Sequence, residues 1–145
     1  MSKHWTRAVS LATALAVAAL APALAQDMRT AAPAGAKVYF IEPKDGAEIS
    51  GPVTVKMGLA GMGIAPAGVD KEKTGHQHIL IDTKLADPTV SMPADDNLKH
   101  FGGGQTETSL TLKPGKHTLQ LVLGDQNHIP HNPPIVSDVI TITVK

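Results

Sequence analysis

Short runs of alternating apolar and polar residues, separated by turn residues, most constrain the fold of this chain. Every second residue is apolar in residues 53–59, and residues 119–123 and 140–144 repeat the pattern. A period of two places one row of side chains on a buried sheet face. Gly, Pro, Asn and Asp between the runs indicate tight connections. No run after residue 36 predicts a helix, so the sequence predicts an all-β domain.

Two local patterns favour an immunoglobulin-like antiparallel β-sandwich of about seven strands. Residues 38–46 followed by 52–55 resemble the first two strands of bacterial immunoglobulin-like modules. Residues 112–119 resemble the turn that carries a corner tyrosine, with His117 in the tyrosine's place. We therefore expect His117 to be structural and to bond backbone near the turn. Named in immunoglobulin order, the expected strands are A 37–41, B 52–59, C 76–82, E 106–112, F 117–123 and G 137–144.

The region between strands C and E needs one more strand, because a long irregular stretch is unusual inside a compact domain. Residues 89–92, bounded by Pro88 and Pro93, are the expected short edge strand. Proline at both ends suits an edge, where a missing backbone donor costs little.

The first 25 residues have the three parts of a cleaved secretory signal. A positive start with Lys3 and Arg7 precedes an apolar run over 8–20 and a small-residue end at Ala23 and Ala25. The apolar run is shorter than the roughly 20 residues that cross a bilayer, which disfavours an uncleaved anchor. We expect cleavage after Ala25, a flexible lead over 26–36, one domain over 37–145, and a periplasmic or secreted protein.

Composition excludes several classes of partner and site. The chain has no cysteine, so a disulfide framework and thiolate metal sites are impossible. Removing Lys3 and Arg7 from 13 basic residues leaves 11 against 13 acidic ones, a formal charge of −2. Nucleic acid and anionic lipid need a basic face, so neither is expected as a partner, and the cleaved protein is not expected to be an integral membrane protein.

Five histidines flank the loops of one predicted pole of the sandwich. The B–C and F–G loops and the connection into strand E emerge at the same end. His76 and His78 begin strand C, His100 precedes strand E, and His128 and His131 lie in the F–G loop. The B–C loop, residues 60–68, is expected to roof or flank them. We therefore predict a histidine pole, with His117 at the opposite end.

Each part of this histidine pole also has a structural interpretation. His76 and His78, two apart on a strand, share a face and could reach one ion, or could form a polar pair on a solvated strand. His128 and His131 lie in a proline-stiffened loop and could instead cap backbone groups. Glu107 could be a carboxylate ligand or orient a histidine, or could simply face solvent. Asp125 is expected to be a turn residue.

Several motifs resemble a family of exported bacterial domains of unknown function. The motifs are Gly61–Gly68, Thr74–Asp82, Pro93–Gly102, Gly104–Thr108 and Leu123–His131, in that order. The resemblance covers nearly all of residues 37–145. It implies an exported single domain and supplies no activity.

We expect an exported binding protein whose histidine pole binds a small ligand, a divalent transition metal such as copper or zinc. His76, His78, His128 and His131 are the preferred ligands, and His100 is the next. Affinity should fall as the imidazoles protonate. The alternative is an envelope module that recognises a protein partner without a metal. An enzyme with metal-activated water is less favoured, because the sequence has no zinc-protease or nucleophile-elbow motif.

Overall fold

The computed structural model describes residues 27–145, and the predicted signal peptide lies outside them. The described chain forms strands and turns, with no helix in those residues. Accordingly, no helix there could cross a membrane. The strands are β1 (Lys37–Glu42), β2 (Glu48–Ile49), β3 (Val53–Ala60), β4 (Gly63–Ile64), β5 (Thr74–Ile81), β6 (Leu98–His100), β7 (Glu107–Leu110), β8 (Gly115–Gly124) and β9 (Ile140–Val144).

Two sheets form a sandwich with the immunoglobulin arrangement. One sheet has the order β1-β3-β7, and the other has β2-β9-β8-β5-β4 with β6 also paired to β5. All the longer pairings are antiparallel, whereas β2 and β4 make two-residue parallel pairs with β9 and β5. Strands A, B and E of the prediction correspond to the first sheet, and G, F and C to the second. The predicted all-β sandwich is confirmed.

Alternating side chains fill the space between the sheets. In β3, Val53, Val55 and Met57 are buried, while Thr54 between them is exposed. The inward residues of β8 and β9 complete the same layer: Leu119, Leu121, Leu123, Ile140, Ile142 and Val144. Complete burial of such a side chain contributes about 1.5–3 kcal/mol, so this layer holds the two sheets together.

Strand β5 is buried on both faces, unlike a strand with a solvated side. Its inward residues Ile79 and Ile81 belong to the main core. Its outward residue Leu80 packs with Met92, Leu98 and Val122 in a second cluster on the outer face of the larger sheet. Met92 belongs to the connection between β5 and β6, which therefore covers this face. The outer face of the sheet is therefore excluded from solvent where that connection packs on it.

The predicted edge strand at residues 89–92 is wrong. Those residues form turns and irregular backbone, and the added strand is β6. Met92 donates its backbone N–H to the His128 carbonyl at 2.9 Å instead of entering a ladder, and its side chain packs against the sheet. The Asp95 carboxylate accepts the backbone N–H of Asn97 and of Leu98, each within 2.8 Å, and so begins β6 three residues later.

The strand number also differs from the expected seven or so, because residues 27–145 form nine strands. The two additional short strands, β2 and β4, each contain only two residues. A two-residue pairing has no alternation that a sequence pattern could reveal.

The described part of the expected flexible lead lies along the β8–β9 loop. Ala32 donates its N–H to the Asn132 carbonyl, and Asn132 donates to the Thr30 carbonyl, both at 2.9 Å. The Thr30 hydroxyl also donates to the Asp125 carboxylate at 3.0 Å. These bonds connect the lead to the loop that carries His128.

His117 is structural, as predicted from the corner turn. Its Nε2 donates to the Lys113 carbonyl and its Nδ1 to the Asp82 carboxylate, both at 2.7 Å. Both partners are acceptors, and only the protonated imidazole has two N–H donors. The Asp82 hydrogen bond, with the Lys113 carbonyl, therefore raises the pKa of His117 above its usual value.

This pair predicts a loss of stability with rising pH above the ordinary histidine pKa of about 6.5. Between that value and the raised pKa, the folded state binds the additional proton, so raising pH favours unfolding. Urea denaturation from about pH 6 to pH 9 should show the free energy of unfolding declining more steeply in wild type than in His117→Gln. Identical slopes in the two proteins would contradict the assignment.

Candidate metal centre

Four histidines from three parts of the chain meet on the outer face of the larger sheet. His76 and His78 share that face of β5 because they are two residues apart. His100 ends β6 and stands directly opposite His78 in the antiparallel register. His128 comes from the loop after β8, next to β5 in the same sheet.

The four imidazoles are close enough to share one ion. Each residue offers one ligand atom, and these four atoms all lie within 4.8 Å of one another. The ring centroids are 4.4 Å apart for His100 and His128 and 4.7 Å apart for His76 and His78. Zinc–nitrogen bonds of 2.0–2.1 Å would place tetrahedral nitrogens roughly 3.3 Å apart, so only a small contraction would be required.

One hydrogen bond links two members of the group. His76 Nε2 and His128 Nδ1 are 3.0 Å apart, so one nitrogen donates and the other accepts. The other buried nitrogens of the group lack partners: His76 Nδ1, both ring nitrogens of His78, and His100 Nε2. Buried polar atoms are almost always hydrogen-bonded, and an unsatisfied one costs about 1–3 kcal/mol. These nitrogens lie close enough together to hold a metal ion.

Burial and the neighbouring histidines lower the pKa of three of these imidazoles, those of His76, His78 and His100. Burial, with the neighbouring His100 and His128, lowers the pKa of His76 to about 4. Burial, then His76, lowers the pKa of His78 to about 3. Burial also lowers the pKa of His100, with a contribution from His128. Neutral imidazole is the form that binds metal, so His76, His78 and His100 present free lone pairs at neutral pH.

His128 is held in a constrained conformation by the turn that precedes it. Its φ angle is 63°, in the left-handed region that non-glycine residues seldom adopt. The Asp125 carboxylate accepts the backbone N–H of Asn127 at 2.8 Å and of Ile129 at 3.0 Å. Asp125 is thus a turn residue, as predicted, and its turn directs the His128 ring into the group. Strain of this kind persists where the surrounding structure imposes it.

Two glycines leave room for the rings. A Cβ atom on Gly124 would lie 2.6 Å from the His78 ring, and one on Gly102 would lie 2.4 Å from the His100 ring. Both distances are below contact, so any larger residue would displace a candidate ligand. Gly102 and Gly124 therefore let backbone pass close to a histidine ring.

The β3–β5 connection covers the histidine pole, as expected of the B–C loop. Ala67 donates its N–H to the Gly102 carbonyl at 2.8 Å, and Gly68 donates to the Gln126 carbonyl at 3.0 Å. These bonds tie the connection to the two loops that carry or flank His100 and His128. His76 and His78 are completely buried beneath this arrangement.

The structure changes the order of preference among the predicted ligands. His100, the fifth choice, belongs to the close group, and His131 does not. His131 is nonetheless completely buried, neither of its ring nitrogens has a hydrogen-bond partner, and burial lowers its pKa. Glu107 is exposed on β7 of the other sheet, which agrees with its solvent-facing interpretation.

Gln77 and Met92 are two residues near the pole that sequence patterns did not single out as part of a site. Gln77 is completely buried, and neither amide atom has a partner. Met92 touches the space beside His78. Gln77 is two residues from Ile79 and therefore faces inward with it. Nothing in the pattern around Met92 signals that its side chain turns toward the histidines.

Family membership agrees with the resemblance carried by the motifs. Residues 55–145, more than half of the chain, match the family described as Domain of unknown function (DUF4399). The chain belongs to this family. All four grouped histidines and His131 lie within the matched residues.

Other similarities are limited. No curated protein matches the sequence. The X-ray structure of the endo-beta-1,4-mannanase from Thermotoga petrophila is similar with a TM-score of 0.43 and 21% identity, over 76% of this chain and 20% of that chain. The chain thus spans a small part of that enzyme's length, and a similarity this limited does not indicate a shared activity.

The close approach at Gly124 predicts a stability cost. Gly124→Ala would force a methyl group against the buried His78 ring and Met92, and overpacking of this kind costs about 1–3 kcal/mol. The matched control is Gly63→Ala, whose Cβ would meet only Thr74 at an ordinary 3.7 Å. Urea denaturation should separate the two variants. Equal stabilities would show that the His78 ring is not held in this position.

Proposed function

We propose that this protein is an exported single-domain protein that binds one transition-metal ion, copper or zinc, through His76, His78, His100 and His128. The observation that carries the proposal is that their four ligand atoms lie within 4.8 Å of one another. Imidazole is the commonest protein ligand for such metals, and four of them suit copper, zinc or nickel rather than calcium or magnesium, which prefer oxygen.

The unsatisfied nitrogens give the proposal its energetic basis. Without an ion, the buried nitrogens of His78 have no partner, which works against folding. A bound ion would accept the lone pair of one of these nitrogens and relieve part of that cost. Binding to the folded state alone also raises stability, by about 2.7 kcal/mol when the free metal is a hundred times the dissociation constant.

Four protein ligands favour binding over catalysis. A catalytic zinc has three protein ligands and an open position for water or substrate, whereas four ligands complete a tetrahedral shell. With all four imidazoles on the ion, no such position remains. The group therefore supports a role in holding, carrying or sensing a metal more than in hydrolysis.

We expect the purified domain to bind about one equivalent of copper or zinc in equilibrium dialysis, with bound metal measured by mass spectrometry. His100→Ala and His128→Ala should each lower affinity by at least about a hundredfold, since loss of a supporting residue alone costs 10–100-fold. These two rings are only half-buried, so their removal leaves the core intact.

His117→Gln is the matched control for that measurement. It removes a histidine outside the group, so wild-type affinity is expected. If wild type binds no metal, or if all three variants bind equally, the proposal is wrong. The alternative of an envelope-interaction module would then be favoured.

Export is the second part of the proposal, supported by the charged, apolar and small-residue order of residues 1–25. Expression of the full chain in a Gram-negative host should place the protein outside the cytoplasm, with an intact mass that begins at Gln26. Ala25→Arg should block processing, because small residues are needed at the cleavage site. A cytoplasmic protein that retains residues 1–25 would contradict export.

A further inference from the structure

Met92 lies beside the histidine group in a way that bears on which metal the site prefers. A Cβ atom on Gly124 would lie 2.6 Å from His78 Cε1 and 3.2 Å from Met92 Cε. The thioether side chain and the His78 ring therefore border the same small space. Met92 is almost completely buried, and its backbone N–H bonds the His128 carbonyl at 2.9 Å. Met92 is thus hydrogen-bonded to one candidate ligand residue, His128, and lies next to another, His78.

The charge of the site also distinguishes between metals. The four grouped residues are all histidines, with no carboxylate among them. A divalent ion would consequently bring two positive charges into the group. The nearby Asp125 carboxylate, held by N–H groups and the Thr30 hydroxyl, would offset at most one of them.

The surroundings make that charge costly. Leu80, Leu98 and Val122 form an apolar cluster on the same sheet face, together with Met92. The cost of burying an ion grows with the square of its charge, so a monovalent ion costs about a quarter as much as a divalent one in the same medium. Neutral ligands in apolar surroundings therefore favour the lower charge.

We infer that the site prefers Cu(I), with the Met92 thioether replacing one of the four imidazoles in the shell of that ion and so selecting it over Zn(II). Thioether sulfur is a soft donor that favours Cu(I), whereas zinc gains little from it. The usual alternative is that Met92 merely fills a gap in the outer cluster, a common role for methionine. This inference rests on the proposed metal binding and adds its selectivity.

The test compares Met92→Leu with wild type for two metals. Leucine conserves volume in the outer cluster, so packing changes little. Cu(I) affinity is measured without oxygen by competition with bicinchoninate, and Zn(II) affinity by competition with a zinc-binding dye. We expect Met92→Leu to lower Cu(I) affinity at least about tenfold and to leave Zn(II) affinity unchanged.

Met57→Leu is the matched control. Met57 is equally buried but lies on β3, in the core between the sheets, so neither affinity should change. An unchanged Cu(I) affinity in Met92→Leu would overturn the inference, and so would equal losses for both metals, which indicate packing. Absence of any metal binding in wild type would instead overturn the proposed function itself.

X-ray absorption of the Cu(I)-loaded wild-type protein supplies a second readout that does not depend on a variant. The sequence has no cysteine, so a sulfur atom bound to copper must come from methionine. We expect one sulfur scatterer beside nitrogen, and its loss in Met92→Leu. A shell of nitrogen alone would overturn direct ligation by Met92, and with unchanged Cu(I) affinity it would overturn the preference as well.

Discussion

The burial of β5 on both faces is the constraint on which the candidate site depends. A strand in an antiparallel sandwich usually has one solvated face, and histidines there would be ordinary surface residues. Here the β5–β6 connection covers the outer face, with Leu80 and Met92 in contact beneath it. The same alternation that directs Ile79 inward directs His78 outward. His78 is nevertheless buried, because the β5–β6 connection covers that face. Dehydration of the imidazoles follows directly from this second apolar layer.

The histidine pole departs from the usual pairing of buried polar atoms. A fold selected only for stability would leave few buried polar atoms without partners. Here such atoms are found on His76, Gln77, His78, His100 and His131, all at one end of the sandwich. The main core, filled by aliphatic residues of both sheets, stabilises the domain enough to retain them. Departures from local rules are expected at functional sites, where other parts of the structure compensate for them.

Period-two patterns were sufficient to predict the main strands and the pole, because each long strand has one face in a single core. They could not predict that the β5–β6 connection covers the outer face of the larger sheet. Residues 89–92 alternate weakly and lie between prolines, features shared by an edge strand and by an irregular segment packed on a sheet. Only the tertiary contact of Met92 with the outer face distinguishes the two. The ranking of His100 behind the other histidines has a similar cause. His100 stands opposite His78 because it belongs to β6, and the sequence pattern did not reveal that strand.

The loop that carries His128 shows how distant parts of the chain combine to orient one ring. Asp125 organises the turn through its carboxylate, and Thr30 from the lead donates to that same carboxylate. Met92 from the β5–β6 connection bonds the His128 carbonyl. A residue with a left-handed backbone conformation is held only by several such contacts together. One contact alone contributes less free energy than the backbone strain and the lost conformational entropy cost. His128 is therefore positioned by contacts from the lead, from its own turn and from the β5–β6 connection. Its neighbours in sequence supply only some of these contacts.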